Sequence, residues 1–249
     1  MSGQVVVFDL DGVLVDSEPY WREGFRAAMA VIAADVGVAA PAIGDEELRR
    51  FEGGRVTDTV RALAASMAAS MAGTDAADTT VDRAVDAAIA RASSLFAEDP
   101  RAIAASVMTV TELRARGFRI GVASSSAPAF IEAVVTRLGL ADAVEATASA
   151  FCLTNPKPHP DVYLDVLETM GVPPEAGTAV EDSWTGVQSA LRAGLRTVWL
   201  TDEAAETAER RVQALTEGDP GSNGRPRPPL MITRVVDADA VQDFAEARP

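Results

Sequence analysis

The sequence predicts an α/β fold in which helices cover a parallel sheet and a helical segment is inserted after the first strand. Short apolar runs alternate with helical patterns along most of the chain, and strands that alternate with helices form parallel sheets. Residues 18–99 break this alternation because they hold helical patterns without a convincing strand. A chain of 249 residues is long enough for such a core and an insertion.

Five apolar runs are predicted strands. They are, in chain order, VVVF at Val5, RIGVAS at Arg119, AVEATA at Ala143, TAVED at Thr178 and RTVWL at Arg196. The first, second and fourth are almost continuously apolar, which is typical of central strands covered on both faces. Residues 218–229 are rich in Gly and Pro and predict an exposed loop before a further apolar run, LMITRVV.

The inserted segment, residues 18–99, has two clear helical patterns, VTDTVRALAASMAASM and TVDRAVDAAIARASSLFA. Pro100 follows it and suits the first turn of a new helix. The predicted domains are therefore a core of residues 1–17 and 100–249 and a helical domain of residues 18–99.

Charge and composition limit the classes of partner that the protein is expected to bind. The net charge of -15 argues against nucleic acid or an anionic membrane as the main partner, whereas a small anion could bind in a locally positive pocket. Cys152 is the single cysteine and cannot form an intrachain disulfide, no leader pattern opens the chain, and no uncharged stretch is long enough to span a membrane. We expect a cytoplasmic protein, and a monomer, although the sequence leaves the oligomeric state open.

Polar residues stand where the predicted strands end. Ligands of parallel sheets bind beyond the carboxyl ends of the strands, so these residues are considered together. They are Asp9, Asp11, the serines from Ser124, Glu181 and Asp182, with Lys157 in a loop before the fourth strand. Phosphoryl transfer with Mg²⁺ would use such a set, since one carboxylate attacks phosphorus, another exchanges a proton and a hard cation neutralises charge.

Each of these residues could instead have a purely structural role, in a turn or as a helix cap. Asp commonly forms turns after strands. Ser124 or Ser126 could cap the helix that begins near Ala127, and Asp182 could cap the helix that contains TGVQSALRA.

The order of these motifs resembles the haloacid dehalogenase superfamily, in the branch with a helical cap after the first motif. The similar segments are DLDGVLVDS, Ser124, KPHPD and VEDSWTGVQSALRAGL, which together span most of the chain. The resemblance implies a Rossmann-like parallel-sheet core with an inserted helical-bundle cap domain, and it implies Mg²⁺ as the cofactor.

The resemblance also implies a role for each matched residue. Asp9 would be the nucleophile and Asp11 the general acid/base. The metal would be held by Asp9, Asp11, Glu181 and Asp182, with Asp11 contributing its backbone carbonyl. The phosphoryl group would be held by Ser124, Ser125 and Lys157, and Lys157 would also favour ionised Asp9 by its charge. The substrate would be contacted by Ser17, Trp21 and Arg55, although Trp21 could be cap core and Arg55 a solvated side chain.

Within that superfamily the sequence is similar to sugar-phosphate phosphatases. Dehalogenases lack an aspartate matching Asp11, and the phosphonate-cleaving relatives use a cap lysine, which residues 18–99 do not contain. Hexose-phosphate mutases carry a histidine where this chain has Trp21. We therefore expect hydrolysis of small phosphorylated metabolites, with a β-phosphoglucomutase-type mutase and a non-catalytic binding module as the alternatives.

Overall fold

The computed structural model describes residues 4–51, 53–70, 77–204, 206–207, 210–211, 213–214, 230–233 and 236–247. Its strands are β1 (Val5–Phe8), β2 (Arg119–Ser124), β3 (Val144–Ser149), β4 (Gly177–Glu181), β5 (Arg196–Leu200) and β6 (Leu230–Thr233). Its helices are α1 (Glu18–Asp35), α2 (Asp45–Arg49), α3 (Val56–Ser70), α4 (Asp78–Glu98), α5 (Ala104–Ala115), α6 (Pro128–Arg137), α7 (Asp161–Met170), α8 (Trp184–Ala193) and α9 (Ala238–Glu246). Short 3₁₀ turns cover Ala150–Cys152 and Pro174–Ala176.

The strands form one parallel sheet in the order β3-β2-β1-β4-β5-β6. Strand β1 lies at its centre, and its two faces join different parts of the core: Val6 and Phe8 pack with residues of α5, α6 and α9, whereas Val5 and Val7 pack with residues of α7 and α8. The continuous apolar character of VVVF follows from this double cover. The chain moves outward from β1 through β2 to β3 and then returns to β4, so the strand order changes direction at β1, which is where such sheets bind ligands.

The described part of residues 18–99 contains helices and no strand, as expected. Small residues let two of these helices approach closely: a Cβ on Gly24 of α1 would lie 2.7 Å from the carbonyl oxygen of Ala88 in α4. Ala28, Ala84 and Ala88 are fully buried there. The small residues at these positions thus let α1 and α4 pack closely.

The prediction for Pro100 is wrong, because α5 begins at Ala104. The residues after Pro100 are extended instead and pair with the segment that leaves β1, through a bridge between Val15 and Ala102. The Ile103 amide donates to the Leu14 carbonyl at 3.0 Å, which belongs to the same pairing. The two connections to the helical segment therefore run side by side.

The strand predictions agree with the structure to within one or two residues, and RTVWL is reproduced as β5. The run LMITRVV contributes β6, whereas the loop predicted at residues 218–229 lies outside the described residues. Across the described residues, none of the helices combines the length and the apolar character needed to cross a membrane.

Candidate active site

At the carboxyl ends of β1 and β4, a buried lysine lies between two carboxylates. Asp9 follows β1, and its amide donates to the Val180 carbonyl of β4 at 2.9 Å. Lys157 Nζ lies 2.6 Å from Asp9 Oδ1 and 2.6 Å from Glu181 Oε1, and its side chain is 5% exposed. Lys157 is also the only lysine in the sequence. The strand ends thus place Asp9 and Glu181 where both contact the Lys157 ammonium.

Glu181 is fully buried at the end of β4 and is held from several directions. Besides Lys157, it accepts a hydrogen bond from the Tyr163 hydroxyl at 2.7 Å and one from Ser183 Oγ at 3.3 Å. A Cβ on Gly186 would lie 2.0 Å from the Glu181 carboxylate, so only glycine fits in the first turn of α8. These contacts fix the carboxylate beneath the site.

Ser183 is the N-cap of α8, and its Oγ accepts a hydrogen bond from the Gly186 amide at 3.0 Å. The capping interpretation of Asp182 is therefore wrong. Asp182 instead lies against the loop after β1, where a Cβ on Gly12 would be 1.9 Å from Asp182 Oδ2. Gly12 has φ +78°, so both its conformation and the space available favour glycine.

Burial governs the ionisation of these groups. It raises the pKa of Asp9 well above the usual range of a carboxyl, because the Lys157 ammonium offsets only part of the desolvation and Glu181 adds a like charge. Burial, followed by the charge of Glu181, raises the pKa of Asp182 to about 7. Burial alone would lower the pKa of Lys157, yet Asp9 and Glu181 raise it. The charge of Lys157 lowers the pKa of Asp9, as expected, but by less than burial raises it.

Three carboxylates form a cluster that could hold a metal ion. One oxygen from each of Asp9, Glu181 and Asp182 lies within 4.8 Å of the others. Hard oxygen donors of this kind suit Mg²⁺. The Lys157 ammonium contacts only two of these three buried or half-buried carboxylates, and this deficit of positive charge is a second reason why a cation fits.

Asp11 lies apart from this cluster of carboxylates, in a network of hydroxyl and indole donors. Its Oδ1 accepts from Ser17 Oγ at 2.5 Å and from Trp21 Nε1 at 3.0 Å. Its Oδ2 accepts from Ser124 Oγ at 3.0 Å and from Ser126 Oγ at 2.7 Å. The capping interpretation of the two core serines is wrong, since α6 begins after Ala127 and their hydroxyls bind Asp11.

A cavity of about 210 Å³ opens over these groups. The core contributes the reactive carboxylates and Lys157 to its lining, and the helical segment contributes side chains from α1 and the residues around the start of α3. The lining residues are Asp9, Asp11, Glu18, Trp21, Phe25, Gly53, Gly54, Val56, Ser125, Ser126, Lys157, Asp182 and Ser183. The predicted Asp9, Asp11, Ser125, Lys157, Asp182 and Trp21 therefore meet at one cavity.

Besides the fully buried Glu181, three predicted residues lie outside that lining. Ser124 is fully buried beneath it and donates to Asp11. Ser17 is also fully buried and donates to Asp11, and its predicted contact with substrate stays a prediction. The third is Arg55, whose guanidinium points to another part of the structure.

Arg55 connects the helical segment to the core instead of lining the cavity. Its guanidinium forms two 2.9 Å hydrogen bonds with the Asp58 carboxylate. Its Nη1 donates to the Leu153 carbonyl at 2.7 Å, just after the 3₁₀ turn that follows β3. In this structure Arg55 thus makes a contact between the two parts of the chain, and its predicted contact with substrate stays a prediction.

Sequence reasoning missed four residues of the site: Glu18, Ser126, Tyr163 and Ser183. The sequence interpretation of Ser126 is a helix cap, although its spacing of two residues from Ser124 indicates that both side chains point the same way. Ser183 directly follows Glu181 and Asp182, so its position beside the end of β4 could have been predicted from the sequence. Tyr163 reaches the site through the packing of α7 against the sheet, for which the sequence offers no signal. Glu18 lies between the predicted residues Ser17 and Trp21, so its neighbourhood in the sequence is the signal that could have found it.

Comparison with known proteins decides the family. A family model of the haloacid dehalogenase-like hydrolases matches residues 4–194, which is most of the chain and includes every residue of the site. The chain belongs to the haloacid dehalogenase-like hydrolases.

Two curated relatives of this hydrolase are phosphatases. Hexitol phosphatase B of Escherichia coli (strain K12) is 33% identical over 209 residues, which cover 84% of this chain and 88% of the relative. Phosphoglycolate phosphatase of Shigella boydii serotype 4 is 32% identical over 210 residues, covering 79% and 80%. The solved structure of a β-phosphoglucomutase from Clostridium difficile has a TM-score of 0.73 and 18% identity, with 98% and 97% coverage, and supports the fold alone.

These comparisons confirm the resemblance on which the sequence analysis relied, together with the α/β fold of the hydrolase. They also confirm the prediction of an enzyme, at the level of a hydrolase family with named phosphatases among the relatives. The roles of individual residues, the metal and the substrate follow from the geometry of the site and are developed below.

Proposed function

We propose that this hydrolase is a Mg²⁺-dependent phosphatase that releases phosphate from small phosphomonoesters, in particular sugar phosphates, through an aspartyl-phosphate on Asp9. The observation that carries the proposal is the cluster of Asp9, Glu181 and Asp182 beside Lys157 at a cavity. The family and the two phosphatase relatives support the same reaction. A reaction at this cluster would use every buried charge that the strand ends bring together.

In the first step, Asp9 attacks the phosphorus of the bound ester. A bond forms between an Asp9 carboxylate oxygen and phosphorus, the bond from phosphorus to the ester oxygen breaks, and Asp11 gives that oxygen a proton. Lys157 lies 2.6 Å from Asp9 and stabilises negative charge on the carboxylate and the transferring group. Ser125 and Ser126 line the cavity and offer donors to the phosphoryl oxygens.

In the second step, Asp11 accepts a proton from water while the water oxygen bonds to phosphorus. The bond from phosphorus to Asp9 then breaks, which releases phosphate and restores the carboxylate. In the structure the Ser124 hydroxyl donates a hydrogen bond to Asp11. If the hydroxyl donated to a phosphoryl oxygen instead, one anionic acceptor would replace another. We therefore assign Ser124 to both anions in turn.

Asp9, Asp182 and the Asp11 backbone carbonyl would hold Mg²⁺, with Glu181 acting directly or through water. The ion, when bound, would neutralise charge that develops on the phosphoryl oxygens. Lys157 and Tyr163 occupy Glu181 Oε1, which favours an indirect role for Glu181.

We also propose residues 18–99 as a cap domain that closes over a core of residues 1–17 and 100–249. The two extended connections at Val15 and Ala102 run side by side, which would let the helical segment move as one body. Gly53, Gly54 and Val56 already line the cavity from this segment. The cavity of about 210 Å³ lies below the range of about 300–1,000 Å³ for drug-sized ligands, which favours a small metabolite.

The test of this function separates hydrolysis from mutase activity. The enzyme is incubated with Mg²⁺, β-glucose 1-phosphate and a trace of the 1,6-bisphosphate, and free phosphate and glucose 6-phosphate are followed separately. We expect free phosphate to dominate, because Trp21 offers Asp11 only an N–H donor and no group that relays a proton. Faster accumulation of glucose 6-phosphate would show that the mutase alternative is right. No Mg²⁺-dependent release of phosphate from any of a panel of monoesters would favour the non-catalytic module.

A second prediction concerns the metal-free protein. The pKa of Asp182 is about 7 in the folded protein and 3.8 for an unperturbed Asp side chain, so the folded state binds more protons between these values. Stability contributed by Asp182 is therefore complete below about pH 4 and is lost as the pH rises to about 7. In the presence of EDTA, we expect the melting temperature of the wild type to fall through this window relative to that of Asp182→Asn.

Added Mg²⁺ should remove this difference, because a cation in the cluster stabilises the ionised carboxylates. The measurement is a set of thermal melts of both proteins with EDTA and with Mg²⁺. Parallel pH profiles of the two metal-free proteins would contradict the assignment of Asp182.

A further inference from the structure

Trp199 of β5 lies directly beside the main chain that carries Asp182. In the parallel pairing of β4 and β5, Trp199 is the partner of Glu181. Its indole Nε1 donates to the Asp182 backbone carbonyl at 3.0 Å, and the residue is 2% exposed. A buried indole N–H needs an acceptor, and here the acceptor belongs to a residue of the carboxylate cluster.

This hydrogen bond restrains Asp182 on the side that the strand leaves free. The Asp182 carbonyl is part of the peptide that joins Asp182 to Ser183, the N-cap of α8. The pairing of β4 with β5 ends at Glu181, so beyond that residue the main chain is held by Trp199 and by the Ser183 cap. The Asp182 carboxylate itself lies against Gly12, where there is no room for a Cβ. The main chain and the carboxylate of Asp182 are therefore fixed together.

The indole of Trp199 is in turn held by a stack of neighbouring groups. Its ring centroid lies 5.3 Å from that of Trp184, the first residue of α8. The Arg211 guanidinium lies 4.8 Å from the Trp184 ring centroid and 5.9 Å from that of Trp199, and it also pairs with Glu203. Ring and cation–π contacts of this kind fix the direction in which the Trp199 N–H points.

Such a restraint matters because Asp182 lies among like charges. An oxygen of its carboxylate lies within 4.8 Å of oxygens of Asp9 and Glu181. Repulsion between carboxylates favours movement of Asp182 away from this cluster when no cation is bound. A ligand that must first be brought back weakens binding, whereas a main chain that is already in place avoids this loss.

We propose that Trp199 is a positioning residue for Mg²⁺, whose N–H holds Asp182 where it can contact one cation together with Asp9 and Glu181. The inference rests on the proposed Mg²⁺-dependent reaction and adds to it a residue outside the described lining of the cavity. Mutation of groups that orient metal ligands typically lowers metal affinity by about 10–100-fold. Trp199 would act on the cation only through Asp182.

Trp199 also has a structural role, since its buried ring packs against Trp184 of α8. Loss of that packing would lower the melting temperature by a similar amount at every Mg²⁺ concentration. Loss of the hydrogen bond to Asp182 would instead weaken the binding of Mg²⁺, so the affinity for the ion distinguishes the two roles.

The experiment measures Mg²⁺ binding to the substrate-free protein. Thermal melts over a series of Mg²⁺ concentrations give a dissociation constant from the rise in melting temperature. We expect Trp199→Phe, which keeps an aromatic ring but removes the N–H, to raise this constant about tenfold or more. The matched control is Trp184→Phe, which makes the same change in the neighbouring ring and should leave the constant at its wild-type value.

A second variant carries benzothienylalanine at position 199, in which sulfur replaces the indole N–H with almost no change of shape. It should raise the dissociation constant as Trp199→Phe does, and it replaces that variant in the test if Trp199→Phe does not fold. At saturating Mg²⁺ both variants should recover the wild-type kcat and KM for p-nitrophenyl phosphate, which a distorted active site would not.

A dissociation constant that neither variant raises would overturn the role of Trp199, and so would an equal increase in Trp184→Phe. A wild-type melting temperature that does not respond to Mg²⁺ would overturn it as well. Hydrolysis of p-nitrophenyl phosphate by the wild type with Mg²⁺ checks the proposed function separately. Hydrolysis with unchanged Mg²⁺ affinity in the variants contradicts the inference alone, whereas no hydrolysis of any monoester contradicts the function and with it the role of Trp199 in the reaction.

Discussion

Asp9→Asn is expected to lower kcat by at least about 10⁴-fold while the fold is retained, because an amide is a very poor nucleophile toward phosphorus. Lys157 keeps its contact with Glu181 in this variant, and the amide oxygen of Asn can still accept its hydrogen bond. Phosphate release with saturating Mg²⁺ and a melting curve measure the two parts of the prediction. Borohydride reduction of the wild type during turnover should also locate an acyl phosphate at Asp9.

The matched control is Asp165→Asn, which makes the same chemical change on the exposed face of α7. It should leave both kcat and the melting temperature at wild-type values. Retention of more than about 1% of wild-type activity by Asp9→Asn would contradict covalent catalysis by Asp9.

The sheet could be predicted because a parallel strand buried on both faces is apolar throughout its length. VVVF at β1 shows this directly, and its bounds agree with the structure. The bounds of RTVWL at β5 agree as well, although its first two residues are polar. Pro100 shows the limit of local signals. Its preference for a first helical turn lost to the pairing of Val15 with Ala102, a contact between segments that are far apart in the sequence.

The cluster of buried charges could also be predicted, since parallel strands deliver the residues that follow them to one edge of a sheet. Asp9 and Glu181 meet at Lys157 for this reason. The surroundings of Asp11 could not, because its donors come from the N-cap and first turn of α1 and from the end of β2 and the loop after it. The direction of Arg55 is likewise set by Asp58 and by the backbone after β3, and sequence spacing carries no information on such contacts.

Lys157→Met is expected to cause the largest loss of stability of any single change at the site. The variant keeps an unbranched side chain but leaves Asp9 and the fully buried Glu181 without their ammonium partner. Removing one partner of a buried ion pair costs about 3–5 kcal/mol, because the remaining charge is desolvated and uncompensated. Activity should fall together with stability, since Lys157 also contacts the nucleophile.

Urea unfolding at several pH values tests this prediction. Loss of Lys157 should raise the pKa of Asp9 further above its usual range, so the variant regains stability as the pH falls and Asp9 takes up a proton. Lost packing of the lysine side chain would give a deficit that does not depend on pH. The pH dependence of the difference between variant and wild type therefore identifies an electrostatic cause.

Two further variants complete the comparison. Adding Glu181→Gln to Lys157→Met removes one of the two uncompensated charges, and it should restore part of the stability but none of the activity. Arg119→Met breaks the half-exposed pair of Arg119 with Glu145, for which about 0–1 kcal/mol is expected. If Lys157→Met were no more destabilising than Arg119→Met, the shared ammonium would not be what stabilises the two buried carboxylates, and the electrostatic account of the site would be wrong.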